Sequence, residues 1–187
     1  MTNLPRIPMI VTLCCCTVLG ACRSAPVHYH TLTPLADGAL PANRHSSALL
    51  IERVTVPPQM DRTQVVVRQG SSELAILETD WWGASLADDL QSALADQLNK
   101  RPITAARASL RVDVQRFDLV PGRYALLEVK WRLRTAGEVG DDRIELNCQA
   151  SLQAPSGETI EELVQAQQGN VQRLALLISA SGNGKCS

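Results

Sequence analysis

The stretch SLRVDVQRFDLVPGRYALLEVKWRLRT, residues 109–135, decides the fold that the sequence predicts. Residues 127–134 alternate strictly between apolar and charged side chains, which is typical of an antiparallel strand with one face on the core and the other in water. The first half alternates as well but shifts phase at Gln115-Arg116, which predicts a β-bulge. Pro121-Gly122 lies between the two halves and predicts a tight turn. The stretch is therefore expected to form a long β-hairpin.

Neighbouring segments extend this sheet. Residues 143–153 repeat the alternation and place Cys148 on the inward side. Residues 63–77 contain two short apolar runs around Gly70-Ser71-Ser72, the pattern of a hairpin. A further strand is predicted over residues 48–57. This segment ends at a pair of prolines, which is where a strand is expected to stop.

Two helices complete the prediction. The apolar side of the first recurs at every fourth residue: Leu86, Leu90, Leu94 and Leu98. Ser85 with Asp88 resembles a capping box at its start, and Thr159 with Glu162 is the equivalent pair for a second helix, which Gly169 can bend or divide. The order of strands, helix, three strands and helix predicts an α+β fold: an antiparallel or mixed sheet of about five to six strands with two helices packed on one face.

The N-terminus has the pattern of a lipoprotein signal peptide. Arg6 precedes an apolar run of about a dozen residues, which has the length of a secretory signal and is too short to span a bilayer. Leu19-Gly20-Ala21-Cys22 matches a lipobox, so we expect removal of residues 1–21 and acylation of Cys22 by a diacylglyceryl group and a further chain such as palmitate. A plain signal peptide and a metal cluster are the alternatives, but the adjacent Cys14, Cys15 and Cys16 cannot easily surround Zn²⁺ as a tetrahedron.

The mature chain is divided by composition. Arg23 follows the acylated cysteine in place of the aspartate that retains many lipoproteins at the inner membrane, which favours the periplasmic face of the outer membrane. Residues 22–46 are predicted to be the acylated N-terminus and a tether, although the beginning of this region, VHYHTL at 27–32, can dock on the domain as an extended segment. A single α+β domain is predicted over 47–180, followed by a flexible tail at 181–187.

Composition argues against several classes of function. The chain carries 18 Lys and Arg against 19 Asp and Glu, and it has no basic stripe or aromatic stacking set for nucleic acid. No nucleophile with a base, paired carboxylates or metal-ligand motif occurs, and the three histidines precede the predicted domain. We expect no enzyme activity, no cofactor and no metal site.

Cys148 and Cys186 are the thiols that remain in the body of the mature chain. In an oxidising periplasm an even pair is a candidate disulfide. The alternative is a buried strand cysteine together with a free thiol on the tail, and the sequence does not decide between the two.

Two stretches carry candidate partner-binding residues. VPPQMDRTQVVVRQG (56–70) places Asp61 and Arg62 before a strand and Arg68 near its end, and ETDWWGASL (78–86) contains Trp81 and Trp82. The tryptophans either cap the core end of the first helix or form part of a partner surface, since Trp and Arg are enriched at the centres of interfaces.

At these residues the chain resembles the PqiC-type lipoproteins, which are auxiliary components of ABC-type and MCE-type intermembrane transport systems. The resemblance is carried by Tyr29 to Leu32; by Val56, Pro57, Asp61, Arg62, Gln64, Val65, Val66 and Arg68; by Trp82, Gly83, Ser85 and Leu86; and by FDLVPGRYALLEVKWRL (117–133). It implies a non-enzymatic, outer-membrane-anchored periplasmic subunit that works with an MCE-domain protein of the inner membrane to move lipids and maintain envelope integrity. It also implies a homo-oligomer, such as a ring. The alternative is a stand-alone structural or assembly lipoprotein of the outer membrane.

Overall fold

The structure is a computed structural model, and it describes residues 24–35, 49–101, 103, 107–136 and 143–186. The predicted signal peptide over 1–21, the predicted acylation site Cys22 and the predicted domain boundary at residue 47 lie outside the described residues. Pro102, which follows the first predicted helix in the sequence, lies outside them as well.

Strands and helices follow each other in the order that the sequence predicts, with one additional short strand at the beginning. The elements are β1 (His28–His30), β2 (Leu49–Thr55), β3 (Gln64–Arg68), β4 (Leu74–Trp82), α1 (Leu86–Asn99), β5 (Arg107–Val120), β6 (Tyr124–Ala136), β7 (Arg143–Pro155) and α2 (Ile160–Ser181). The α+β fold class is therefore confirmed.

The strands form two sheets, where the sequence had suggested one. The small sheet has the order β1-β4-β3, and the large sheet has the order β2-β5-β6-β7. Each sheet is mixed, because β1 pairs in parallel with β4 and β2 pairs in parallel with β5 while the other pairs are antiparallel. The third strand of the small sheet thus comes from the N-terminal segment, and the β3–β4 hairpin is not part of the large sheet.

The β5–β6 hairpin is the centre of the large sheet, as residues 109–135 predict. The two strands pair from Arg107↔Ala136 to Val120↔Tyr124, with the predicted bulge between Val114 and Arg116. Gly122 in the connecting turn has a φ of 70°, a left-handed conformation that glycine adopts without a steric penalty. Local turn geometry and alternation together fix this register.

The two helices cover the apolar side of the large sheet. α2 packs on β6 and β7, and α1 packs on α2 and on β2. All four leucines of the predicted stripe on α1 are buried, and each such burial stabilises the fold by about 1.5–3 kcal/mol. Ser85 caps α1, and Thr159 forms a capping box with Glu162 at the start of α2, as predicted.

α2 is one continuous helix through Gly169, so of the two predicted effects of this glycine, bending or dividing the helix, division does not occur. Buried amides on both sides of the glycine hold the helix on β6: Gln167 donates to the carbonyl of Leu126, and Asn170 donates to the carbonyl of Ala125. These contacts attach both flanking turns to the same strand.

The C-terminal tail is fastened to the large sheet. Cys148 on β7 and Cys186 form a disulfide with their Cα atoms 5.6 Å apart. Because α2 also extends to Ser181, the start of the predicted flexible tail is helical and its end is held at β7.

Candidate functional site

The N-terminal segment, residues 28–33, packs on the domain. β1 pairs with the end of β4 from His28↔Asp80 to His30↔Trp82, and the side chain of Leu32 is completely buried. This part of the predicted tether is therefore folded, in agreement with the docking that VHYHTL predicts. The consequence is that the chain leaves the domain toward Cys22 from a defined position.

Asp89, in the first turn of α1, fastens this segment. Its carboxylate accepts the backbone N–H of Leu32 at 2.7 Å and the hydroxyl of Thr31 at 3.0 Å, and the residue is only 7% exposed. The positive end of the helix dipole favours a carboxylate at this position. The sequence predicts Asp89 only as a helix-end charge, although it stands on the leucine face of the helix.

Contacts from β4 and α2 hold the same segment. His30 Nε2 lies 2.9 Å from Asp80 Oδ1, and the carbonyl of His30 accepts the backbone N–H of Gly83 at 2.9 Å. On the other side, Gln168 of α2 donates its side-chain amide to the carbonyl of Thr31. β4, α1 and α2, all of them distant from residues 28–33 in the sequence, thus hold this segment in place.

The two adjacent tryptophans point to opposite faces of β4, as successive residues of a strand do. Trp82 is 2% exposed and packs edge-to-face on Phe117 of β5, with ring centroids 6.1 Å apart. Trp81 remains partly exposed and packs on Tyr29, with centroids 6.4 Å apart. Of the two interpretations of this pair, a core position fits Trp82, while Trp81 lies where a partner surface requires it.

An aromatic surface covers the outer face of the small sheet; it consists of Val27, Tyr29, Ile76 and Trp81. Tyr29 pairs with Trp81 in the register of the sheet. On β3, Gln64 pairs with Trp81 and Val66 pairs with Ile76, and the register shift between these two pairs places Ile76 on the same face of β4 as Trp81. Tyr29 is 70% exposed, Ile76 is 50% exposed and Val27 precedes β1. The sequence does not predict this surface as a unit, because nothing in it shows that residues 28–30 pair with β4.

Asp61 and Arg62 lie near the tryptophans, whereas Arg68 does not. The backbone N–H of Trp82 donates to the carbonyl of Thr63 at 2.6 Å, which brings the start of β3 to the end of β4. Asp61 is exposed there and Arg62 is half-buried. Arg68 lies at the opposite end of β3, so the five predicted residues do not form a single site, and their role in binding stays a prediction.

Arg68 takes part in a buried charge cluster that joins the two sheets. Asp118 of β5, whose side chain is 4% exposed, accepts hydrogen bonds from Arg68 at 3.1 Å and from Arg116 at 2.6 Å. The hydrogen bond to Asp118 and the nearby charges of Asp118 and Glu128 raise the pKa of the Arg116 guanidinium. A cleft of about 820 Å³ opens beside this cluster, between the β3–β4 and β5–β6 turns. The sequence does not single out Asp118, because it alternates with Phe117 and Leu119 and therefore has the pattern of a solvent-facing charge.

The outer face of the large sheet is charged but internally paired. Glu145 accepts a hydrogen bond from Arg134 at 2.6 Å and lies 3.7 Å from Arg132, and Arg111 pairs with Glu52. The hydrogen bond from Arg134 lowers the pKa of the Glu145 carboxyl. A shallow groove of about 430 Å³ crosses this face. Paired, solvated charges of this kind are typical of a wet sheet face.

Among the described residues, no three His, Cys, Asp or Glu side chains are placed to hold a metal ion. Neither of the helices found there is long and apolar enough to cross a bilayer. The described residues thus present three notable features: the docked N-terminal strand, the aromatic surface and the Asp118 cluster.

Solved structures share this fold. A crystal structure of an uncharacterized protein superposes with a TM-score of 0.66 at 17% sequence identity, over 84% of this chain and 99% of its own. Protein XCC0632 from Xanthomonas campestris, assigned to the DUF330 family, superposes with a TM-score of 0.56 at 15% identity, over 72% of this chain and 83% of its own. No curated protein matches the sequence. The model of the family described as ABC-type transport auxiliary lipoprotein component matches residues 30–179, and the chain therefore belongs to this family.

Proposed function

We propose that the protein is an outer-membrane-anchored periplasmic lipoprotein without enzyme activity that serves an MCE/ABC-type intermembrane lipid transport system. In this role it is the auxiliary subunit that holds the transport assembly at the outer membrane and thereby supports envelope integrity. Its partners are the outer membrane, through the acyl chains on Cys22, and an MCE-domain protein of the inner membrane. The subunit acts as a homo-oligomer, in the form of a ring.

The observation that carries this proposal is the docking of β1. Only residues 23–27 separate Cys22 from His28, and a chain of this length reaches at most roughly 20 Å when fully extended. Acylation of Cys22 therefore holds the domain close to the membrane surface, with the small sheet on the membrane side. A body held in this way suits the membrane end of an assembly that crosses the periplasm.

Membership of the transport auxiliary family supports the transport role, and the resemblance to PqiC-type lipoproteins supports the MCE-domain partner. Arg23 after the lipobox cysteine supports the outer membrane as the location. The absence of a recognisable catalytic constellation in the sequence agrees with a role in binding and positioning.

Affinity purification of the acylated protein from membranes, in several mild detergents, tests the partner. We expect an MCE-domain protein to co-purify, and separation of the two membranes on a density gradient to place the lipoprotein in the outer one. Cys22→Ala is the control, because it removes the acylation site and leaves the residues described in the structure unchanged.

Recovery of the lipoprotein alone in every detergent would contradict the transport role. Co-purification of an outer-membrane β-barrel, without any MCE-domain protein, would favour the stand-alone assembly lipoprotein. Cross-linking of the membrane-bound protein tests the homo-oligomer separately, since a monomer would exclude the ring and leave the partner unaffected.

A further inference from the structure

We infer that the aromatic surface of Val27, Tyr29, Ile76 and Trp81 contacts the lipid bilayer to which the protein is attached. The side chains lie in the headgroup region, so that the domain rests on the membrane with a defined face. This inference rests on the proposed anchoring through Cys22. It adds a second, non-covalent membrane contact made by the folded domain itself.

Chain length brings this surface to the membrane. Tyr29 follows Cys22 by seven positions, which corresponds to at most roughly 25 Å of extended chain, and Val27 is closer still. β1 is fixed to the domain by β4, by Asp89 and by Gln168, so the short link cannot lengthen by detaching Tyr29. Acyl chains buried in the bilayer thus hold the small sheet, to which β1 belongs, within this reach of the headgroups.

The chemistry of the surface suits the boundary between lipid and water. Trp and Tyr are enriched at membrane interfaces because each combines a large apolar ring with one polar group. The indole N–H of Trp81 already donates to the carbonyl of Glu78 at 2.9 Å, so its ring can leave water without leaving an unpaired donor. Tyr29 is 70% exposed, so its hydroxyl can reach a headgroup.

Apolar contact, rather than attraction between charges, accounts for this binding. The exposed charged residue between Ile76 and Trp81 on β4 is Glu78, which does not attract anionic lipid. We therefore expect the contact to form on neutral phosphatidylcholine and to resist high salt, in contrast to the salt-sensitive binding of a basic surface.

The three tryptophans of the chain provide a direct test. Trp82 and Trp131 are each 2% exposed, so Trp81 is the indole that quenchers can reach from outside. The acylated mature protein is reconstituted on phosphatidylcholine vesicles with and without lipid that is spin-labelled near the headgroup. We expect the spin label to quench part of the tryptophan emission, and Trp81→Phe to abolish that quenching.

A matched control places an indole on another exposed apolar position. Leu176 of α2 is 47% exposed and lies outside the small sheet. In the Trp81→Phe background, Leu176→Trp should be quenched by acrylamide in the water and not by the spin-labelled lipid. Unchanged far-ultraviolet circular dichroism shows that both variants fold.

Three results would overturn the inference. In the first, acrylamide quenches Trp81 and the spin-labelled lipid does not, so the indole lies in water. In the second, neither quencher reaches Trp81, so a second copy or a protein partner covers it. Equal quenching by lipid of Trp81 and of the indole introduced by Leu176→Trp would mean that the domain has no preferred face. In all three cases flotation with the vesicles leaves the proposed anchoring intact, whereas failure of the acylated protein to float would contradict the anchoring itself.

Discussion

The two sheets of this protein are stabilised in different ways. Three strands of the large sheet, β5, β6 and β7, are long, follow each other in the chain and are paired over most of their lengths. The small sheet is built around the β3–β4 hairpin, and its remaining strand, β1, comes from a segment some fifty residues before its partner in the chain (His28 pairs with Asp80). Alternation and turns are sufficient for β5, β6 and β7, while β1, like β2 at the edge of the large sheet, depends on contacts between distant residues.

Polar contacts of the small sheet illustrate the difference. Asp89 binds Leu32, Asp80 binds His30 and Asp118 binds Arg68, and in each pair the two residues are at least fifty positions apart. The region to which we assign the membrane contact is therefore the region whose position depends on single side chains. Substitutions there should release one element at a time, whereas substitutions in the shared core should destabilise both sheets.

The largest effect is expected from Trp82, because its ring lies between the two sheets. Trp82→Ala should cost about 3–5 kcal/mol of unfolding free energy, as is usual for truncation of a buried tryptophan. Trp81→Ala is the matched control on the outer face, where loss of the ring contact with Tyr29 should cost about 1 kcal/mol. Urea denaturation measures both. Equal losses for the two variants would contradict the division of the pair into a core residue and a surface residue.

A smaller effect is expected from the disulfide, which fastens the tail to the large sheet. Cys186→Ser should lower the unfolding free energy by about 2–4 kcal/mol, because the cross-link restricts the unfolded chain. Cys148→Ser should cost at least as much, since it also places a hydroxyl in the core. Thiol titration of the oxidised, denatured protein checks the pairing directly. Two titratable thiols in the mature protein would show that Cys148 and Cys186 do not pair.

Asp89 should have a more local effect. Asp89→Ala leaves the buried N–H of Leu32 without an acceptor, which should cost about 2–3 kcal/mol for a hydrogen bond to a charged group. Asp88→Ala, at the neighbouring exposed position, should cost only about 0.5–1 kcal/mol. Amide hydrogen exchange should show fast exchange at Leu32 in the first variant and wild-type protection over β5 and β6. Uniform acceleration across both sheets would contradict the local role of Asp89.

The same contrast explains how much the sequence predicts. Alternation over 127–134, the phase shift near Gln115 and the cap at Thr159 are local patterns, and each gives the structure that is found. The pairing of β1 with β4 and the binding of Leu32 by Asp89 depend on contacts across the chain, for which a single sequence carries no pattern. Asp118 alternates with Phe117 and Leu119, and Asp89 lies in the first turn of α1, so both have the sequence pattern of a solvated charge. Only the fold shows that both are buried.

The smallest effect is expected where the sequence predicted the contact most directly, at the cap of α2. The Thr159 hydroxyl and the Thr159 backbone N–H both donate to the Glu162 carboxylate and lower its pKa below the usual 4.5. Because the pKa of Glu162 is lower in the folded chain than in the unfolded chain, its carboxylate stabilises the fold at pH values above the unfolded-state pKa. This contribution is lost as the pH falls through the folded-state pKa. Glu162→Gln should therefore be less stable than wild type at neutral pH, and the difference should shrink in acid.

Thr159→Val should reduce the pH dependence of that difference, because it removes the hydroxyl that contributes most to the shift. Urea midpoints measured from neutral to acidic pH test this order, and a difference that grew in acid would show that the Glu162 carboxylate does not stabilise the cap in its charged form.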